Sequence, residues 1–209
     1  MKKGKNKLTK LDQLFVDAQK KLEVSTYSIK KMREYLKKKG GTKKETNEVI
    51  LKLKKYSFLD EDEIIKNVIS YADVKHYGYY KIIEMLKQRE IDPNKIAKIL
   101  MSNSRELRES KEMLNRLKKR YKNKNTVNLK QSIYSALIGY GFEENIATMR
   151  VSEVYNSPQE ELNVLILEYN KLISSYSRNY KGSELTKKIV DKLLTKGYKI
   201  NDIRKVVKK

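Results

Sequence analysis

Six basic residues fall within nine positions of this chain, Arg116, Lys118, Lys119, Arg120, Lys122 and Lys124, with no acidic residue among them. Side chains of this type can neutralise the phosphates of a nucleic acid or the carboxylates of an acidic partner. They also suit the C-terminal end of a helix, where the dipole favours cations, so both readings stay open. Lys37, Lys38 and Lys39 repeat the pattern on a smaller scale, with the same two readings. A third group mixes rings and cations: Lys75, His76, Tyr77, Tyr79 and Lys81, with Tyr80 among them and Arg89 further on. Such a group can stack on bases beside a phosphate contact. Tyrosines at helical spacing also serve as half-buried packing, and His76 suits packing or the surface better than a ligand role.

Catalytic chemistry has little to work with. Cysteine is absent and histidine occurs once, which removes thiolate nucleophiles, histidine pairs and the usual zinc sets. No P-loop, dinucleotide fingerprint or nucleophile elbow is present. The carboxylate pairs Glu143–Glu144 and Glu160–Glu161 stand where helices are expected to begin, and dipole stabilisation accounts for them. The expectation is a protein that binds, without enzyme activity, cofactor or metal.

The balance of charge agrees. The 209 residues carry 48 basic and 26 acidic side chains, a formal +22 with a pI near 9.8, and the mean hydropathy is −0.75. The excess is uneven: 34 basic and 17 acidic residues lie in 1–127, 3 and 6 in 128–176, and 11 and 3 in 177–209. A polyanionic partner is one explanation; a lysine-rich proteome that charges all its products is another. No run approaches the roughly 18 apolar residues of a membrane span, and Met1 to Lys10 has no apolar signal core behind its lysines. A soluble, cytoplasmic monomer with no membrane partner is expected.

The elements that hold these residues are legible as a repeat. Leu36, Leu86, Leu137 and Leu193 each close an apolar helical stripe and each meet a stop four residues later, at Gly40, Glu90, Gly141 and Gly197. The intervals are 50, 51 and 56 residues. Four residues before each leucine stands Met32, Ile82, Ile133 or Ile189, the spacing of one helix face. After each stop a second short stripe follows: Val49, Ile50 and Leu53; Ile96, Ile99 and Leu100; Ile146 and Met149; Ile203 and Val206. Longer third helices are expected from Asp60, whose successors Glu61, Asp62 and Glu63 favour the dipole, from about Ser104 with Leu107, Met113, Leu114 and Leu117, and from Ser157–Pro158. The last of these, with Tyr155, Leu162, Leu165, Ile166, Tyr169 and Tyr176, is expected to supply core or a face between units. An opening helix over Thr9–Val24 carries Leu11, Leu14, Phe15, Ala18 and Leu22. The expected fold class is all-α, tandem three-helix repeats forming a curved, elongated array. Its segments are 1–25 as a basic start and capping helix, 26–77, 78–127 and 128–180 as three repeats, the third starting at Val127 or Asn128, and 181–209 as a partial fourth.

At these residues the chain resembles a known family. Ser28-Ile-Lys-Lys-Met-Arg-Glu-Tyr-Leu-Lys-Lys-Lys-Gly40, then Val49-Ile-Leu-Lys-Leu-Lys-Lys-Tyr-Ser-Phe-Leu-Asp-Glu61, is similar to the RecX regulators of the bacterial recombinase RecA. So is the entrance Lys75-His-Tyr-Gly78 to the following helix, Tyr80-Lys-Ile-Ile-Glu-Met-Leu-Lys-Gln-Arg-Glu-Ile91. Glu61 departs from the family's second aspartate, Ile64-Ile65 from its Phe-Ala, and Lys75 or His76 from its arginine. The resemblance implies a curved row of three-helix units that binds in the groove of a RecA filament on single-stranded DNA. It also implies inhibition of filament growth, strand exchange and ATPase, and so damping of recombination and the SOS response. The other reading left open is a helical-repeat protein that binds single-stranded DNA or RNA directly.

Overall fold

The helices begin where side chains can take the orphan N–H groups of a first turn. Thr9, Ser28, Thr42, Asp60, Asp92, Asn125 and Ser157 each accept from a backbone N–H two or three residues on, and Thr9, Thr42 and Ser157 complete reciprocal boxes with Asp12, Glu45 and Glu160. The computed structural model of the protein describes residues 8–99 and 102–207 and contains twelve helices and no strand among them. Residues 1–7, Leu100 and the last two lysines, on which parts of the expectations fell, lie outside the described residues.

The chain divides into two units, 1–103 and 104–209. The first holds α1 (Lys10–Val24), α2 (Ile29–Lys38), α3 (Lys43–Lys55), α4 (Glu61–Lys75), α5 (Tyr79–Gln88) and α6 (Pro93–Ala97). Here α2 packs on α3 with α1 laid against both, and α4 packs on α5. Leu14, Ala18, Met32, Leu36, Val49 and Leu53 form one core, and Ile64, Val68, Ala72, Ile82, Leu86 and Ile91 another. The second unit holds α7 (Asn103–Arg120), α8 (Thr126–Gly139), α9 (Glu144–Ser152), α10 (Pro158–Tyr176), α11 (Gly182–Thr195) and α12 (Ile200–Val207). Its α8 packs on α9, while α10, α11 and α12 close around Leu165, Leu172, Leu193, Tyr198 and Ile203.

All four leucines that end the stripes are fully buried, as are Met32, Ile82 and Ile133, with Ile189 at 2% exposure. The stop after each is one motif. Gly40, Glu90, Gly141 and Gly197 lie in the left-handed region at φ 83°, 57°, 86° and 86°. The next residue turns its N–H back to the leucine carbonyl: Gly41 to Leu36 at 3.0 Å, Ile91 to Leu86 at 3.2 Å, Phe142 to Leu137 at 3.1 Å and Tyr198 to Leu193 at 3.2 Å. Each left-handed residue also bonds the carbonyl one residue beyond the leucine, which makes the pair a Schellman closure. Ile91, Phe142 and Tyr198 are themselves buried and complete the apolar contact that accompanies this closure. Gly41 cannot, and its place is filled from α1: a Cβ there would stand 3.3 Å from Leu14 Cδ1.

Helix α8 begins at Thr126 with Asn125 as its cap, whose side chain accepts from Asn128 N–H and donates to Lys196 O at 2.7 Å. Several expectations are corrected. On α9 the inward positions are Ala147 and Arg150, leaving Met149 39% exposed. Leu107 is exposed on α7, whose inward first turns are polar: Arg105, Glu106, Glu109 and Ser110. Arg150 explains part of that choice, since it donates to Ser110 Oγ at 3.0 Å, Leu107 O at 2.6 Å and Glu153 at 2.7 Å, joining α9 to α7. Tyr155, at 77% exposure, is not core, and Ile166 is also exposed.

Candidate functional site

Helix α7 sets the basic cluster. Met113, Leu114 and Leu117 face inward, which leaves Arg116, Lys119 and Arg120 on the outer side and Lys118 half-buried. Lys122 and Lys124 follow in the exposed turn to α8. Tyr121 stands between two cations, with Arg120 Cζ 5.5 Å and Lys124 Nζ 5.0 Å from its ring centre. Arg120 also reaches Tyr140 Oη at 3.5 Å, and Lys124 donates to Ser132 Oγ at 2.6 Å. Among the described residues no carboxylate lies within ion-pair distance of any of the six. The cluster is therefore a sheet of positive potential with an aromatic ring held among the cations, open to a phosphate or a carboxylate.

In the first unit the expected residues separate into different roles. Lys37, Lys38 and Lys39 are exposed at the end of α2, and Lys39 Nζ sits 5.8 Å over the Tyr35 ring. Lys75 Nζ lies 5.7 Å over Tyr71, which meets Tyr77 edge-on at 6.2 Å, so these form one aromatic and cationic patch. His76 is the left-handed residue that closes α4, at φ 56°, with Tyr77 N–H returning to Ala72 O at 2.8 Å. Its position is explained by chain reversal. Lys81 pairs with Glu84 at 2.6 Å, and Arg89 donates to Met85 O at 3.1 Å, capping α5. Tyr79 is half-buried and faces a cleft.

That cleft, about 700 Å³ between α2, α5 and α6, did not figure among the expected sites. Ile29, Ile83, Ile91, Pro93 and Ile96 with the Tyr79 ring form its apolar walls, and Lys30, Arg33, Lys87, Glu90 and Asp92 add charged lining of both signs. Glu61, 2% exposed, is also among its lining residues. Glu61 Oε1 accepts the Ile29 N–H at 2.9 Å, which ties α4 to the first turn of α2, whereas Oε2 has no hydrogen-bond partner among the described residues. Lys95 Nζ stands 3.9 Å from that same Oε2, an ion-pair distance, and donates its hydrogen bond to Asp62 at 2.8 Å, which holds the Asp62 carboxyl below its usual range. Across the rim, Glu90 takes Lys30 at 2.9 Å and has Lys31 at 3.9 Å; the Lys30 hydrogen bond lowers the Glu90 pKa and raises that of Lys30. A signal for Glu61 existed in the sequence. It shares the inward phase of Ile64, Val68 and Ala72 on α4, so a carboxylate sits where the stripe calls for an apolar residue.

Comparison with known proteins gives a consistent picture, although no family model matches the chain. The regulatory protein RecX of Bacillus pumilus (strain SAFR-032) is 27% identical over an alignment of 223 residues, covering 100% of this chain and 85% of that protein. Regulatory protein RecX of Streptococcus pneumoniae serotype 19F (strain G54) is 27% identical over 179 residues, 83% of this chain and 69% of its own length. The crystal structure of RecX from Lactobacillus salivarius superposes with a TM-score of 0.60, covering 68% of this chain and 95% of that one at 18% identity, a likeness of fold.

Proposed function

We propose, from the premise that this chain belongs to the RecX family, that it is a non-enzymatic regulator which binds the RecA recombinase filament on single-stranded DNA. It acts there by limiting filament growth, and so lowers strand exchange and ATPase and damps recombination and the SOS response. The observation that carries this reading is the similarity to a regulatory protein RecX across the whole chain. The unpaired cations of α7 and the turn after it supply the means, since a nucleoprotein filament offers both phosphates and carboxylates. No helix among the described residues is long and apolar enough to cross a membrane. We place the protein in the cytoplasm, as a monomer, with the filament as its partner.

A second reading has one feature in its favour. Tyr121 between Arg120 and Lys124 is an arrangement suited to stacking on an unpaired base next to a phosphate, which a direct single-stranded DNA or RNA binder would use. The two readings part in the single-stranded-DNA-dependent ATPase of the cognate RecA, titrated with this protein at a large excess of DNA and at two salt concentrations. Inhibition by amounts too small to coat the DNA, persisting at the higher salt, is expected. Inhibition only at saturation of the DNA, relieved by salt as counterions are released, would replace the filament regulator with the direct binder.

A further inference from the structure

The turn that follows α7 borders a small hollow of about 340 Å³ in the second unit. Lys124 belongs to both the basic cluster and the hollow. Its Nζ lies 5.0 Å from the centre of the Tyr121 ring and donates to Ser132 Oγ at 2.6 Å, and Lys124 and Ser132 are both lining residues. The Tyr121 ring thus stands beside the hollow. The remaining lining is polar and close to neutral. Lys196 Nζ is paired with Glu168 at 2.5 Å, which cancels the two charges. Asn125 and Asn128 each donate through Nδ2 to the Lys196 carbonyl, at 2.7 and 3.0 Å, and so fix the wall where α8 meets the turn after α11. Asn123 and Gln131 are different: both line the hollow, both are exposed, and their side-chain amides make no hydrogen bond among the described residues. Each of these amides offers donors and an acceptor in one plane.

We propose that this hollow is a base-binding subsite for single-stranded DNA, with a base set against Tyr121 and its hydrogen-bonding edge turned to Asn123 and Gln131. The inference rests on the proposed function only for the presence of single-stranded DNA beside the protein. The chemistry of the lining selects the occupant. Lys196 is already neutralised by Glu168, so a phosphate gains nothing inside and finds its partners on the exposed Arg116, Lys119 and Lys122 instead. An apolar side chain would take the two amides out of water without giving them partners. A base is planar and uncharged, carries donors and acceptors along its edge, and has two faces that stack on an aromatic ring. It is also joined to the phosphates that the neighbouring cations require. The asparagine or glutamine of a protein partner shares the edge chemistry but brings neither a ring face for Tyr121 nor an anion for the cluster.

The test uses the full chain and three fluorescently labelled octamers: oligo-deoxyadenylate, an abasic DNA strand of the same charge, and oligo-adenylate as the RNA counterpart. In anisotropy titrations at one salt concentration the abasic strand is expected to bind at least about fivefold more weakly than oligo-deoxyadenylate, the lower end of what one stacked base contributes. Asn123→Ala combined with Gln131→Ala should weaken oligo-deoxyadenylate at least about threefold, as lost hydrogen bonds do, and leave the abasic strand unchanged. Both positions are exposed, so the fold is kept. Tyr121→Ala should narrow the same difference and Tyr121→Phe should retain it. In the ¹⁵N-labelled protein the side-chain amide signals of Asn123 and Gln131 should shift with oligo-deoxyadenylate and stay in place with the abasic strand. Equal binding of the two DNA strands, or binding of neither, would overturn the proposal. So would a base-dependent difference that is unaltered in the Asn123 and Gln131 double variant. Tighter binding of the RNA octamer would overturn DNA as the ligand. No recombinase is present in these measurements, so their failure leaves the filament regulator standing, and failure of the ATPase experiment leaves the subsite standing.

Discussion

Gly40 and Gly41 are neighbours that require glycine for different reasons. Gly40 sits at φ 83° with nothing within 4 Å of where a Cβ would be, so its requirement is purely of the backbone. Gly40→Ala should cost about 1–2 kcal/mol, the price of left-handed backbone in an L-residue, read as a lowered urea midpoint with an unchanged slope. Gly41→Ala meets a different obstacle: the new Cβ would stand 3.0 Å from Leu36 O and from Thr46 Oγ1. Removing the side-chain contact should rescue it in part, the Leu36 carbonyl remaining, so Gly41→Ala combined with Thr46→Ala is expected to melt above Gly41→Ala alone but below the unaltered protein. Glycine at the first site is readable from spacing, because a stop four residues after a buried leucine predicts the turn. The second is not, because the crowding depends on how α3 and α1 pack against the turn, through Thr46 and Leu14. Glu90 and Glu61 show the same divide. Glu90 is marked as a stop by its register, yet its ion pair with Lys30 is a tertiary fact, as is the bond from the Ile29 N–H to Glu61.

At the scale of elements, caps and stripes were legible and side-chain partnerships across helices were not. The three capping boxes follow from Thr or Ser three residues before Asp or Glu, and they carry a pH dependence. Hydrogen bonds from Thr42, backbone first and then side chain, with Lys10 adding to them, hold the Glu45 carboxyl down at about 2. A carboxylate depressed in the folded state contributes stability that is present above its ordinary value of 4.5 and is lost as the pH falls towards 2. Glu45→Gln should therefore flatten the fall in thermal midpoint between pH 4.5 and about 2 relative to the unaltered protein, while an equal slope for both would refute the assignment. Arg150 is the converse case, since periodicity offered Met149 for the inward face of α9. A buried guanidinium that bonds Ser110, Leu107 O and Glu153 wins because it satisfies the polar inner turns of α7. Lysine has neither the fork nor the reach to replace those bonds. Arg150→Lys is expected to destabilise the second unit by about 2–4 kcal/mol in urea unfolding, as removal of a buried, hydrogen-bonded charge partner does.

Across the whole molecule the positive charge is shared between the units, with 25 basic and 14 acidic residues in 1–103 and 23 and 12 in 104–209. Long-range attraction to a polyanion therefore does not single out one surface, and what distinguishes the α7 cluster is its density, six basic residues in nine positions with no acidic residue among them. Replacing Arg116, Lys119, Arg120 and Lys122 together by glutamate should raise the concentration for half-inhibition of the RecA ATPase at least about tenfold, with circular dichroism unchanged because all four are exposed. The same effect from reversing Lys37, Lys38 and Lys39 would reduce the cluster to one cationic surface among several. The helical class and its fifty-residue period were visible because each stop is written in a few adjacent positions. The division at 103/104 was not, because it depends on which helices share a core. Three of the four closures carry their own sealing side chain, Ile91, Phe142 or Tyr198, but the one at Gly41 borrows Leu14. Helix α1 is thus a stopper seated in a socket, and a chain begun after residue 25 would leave that socket and the stripe beneath it wet and adhesive, a seat for any loose apolar helix, including that of another copy.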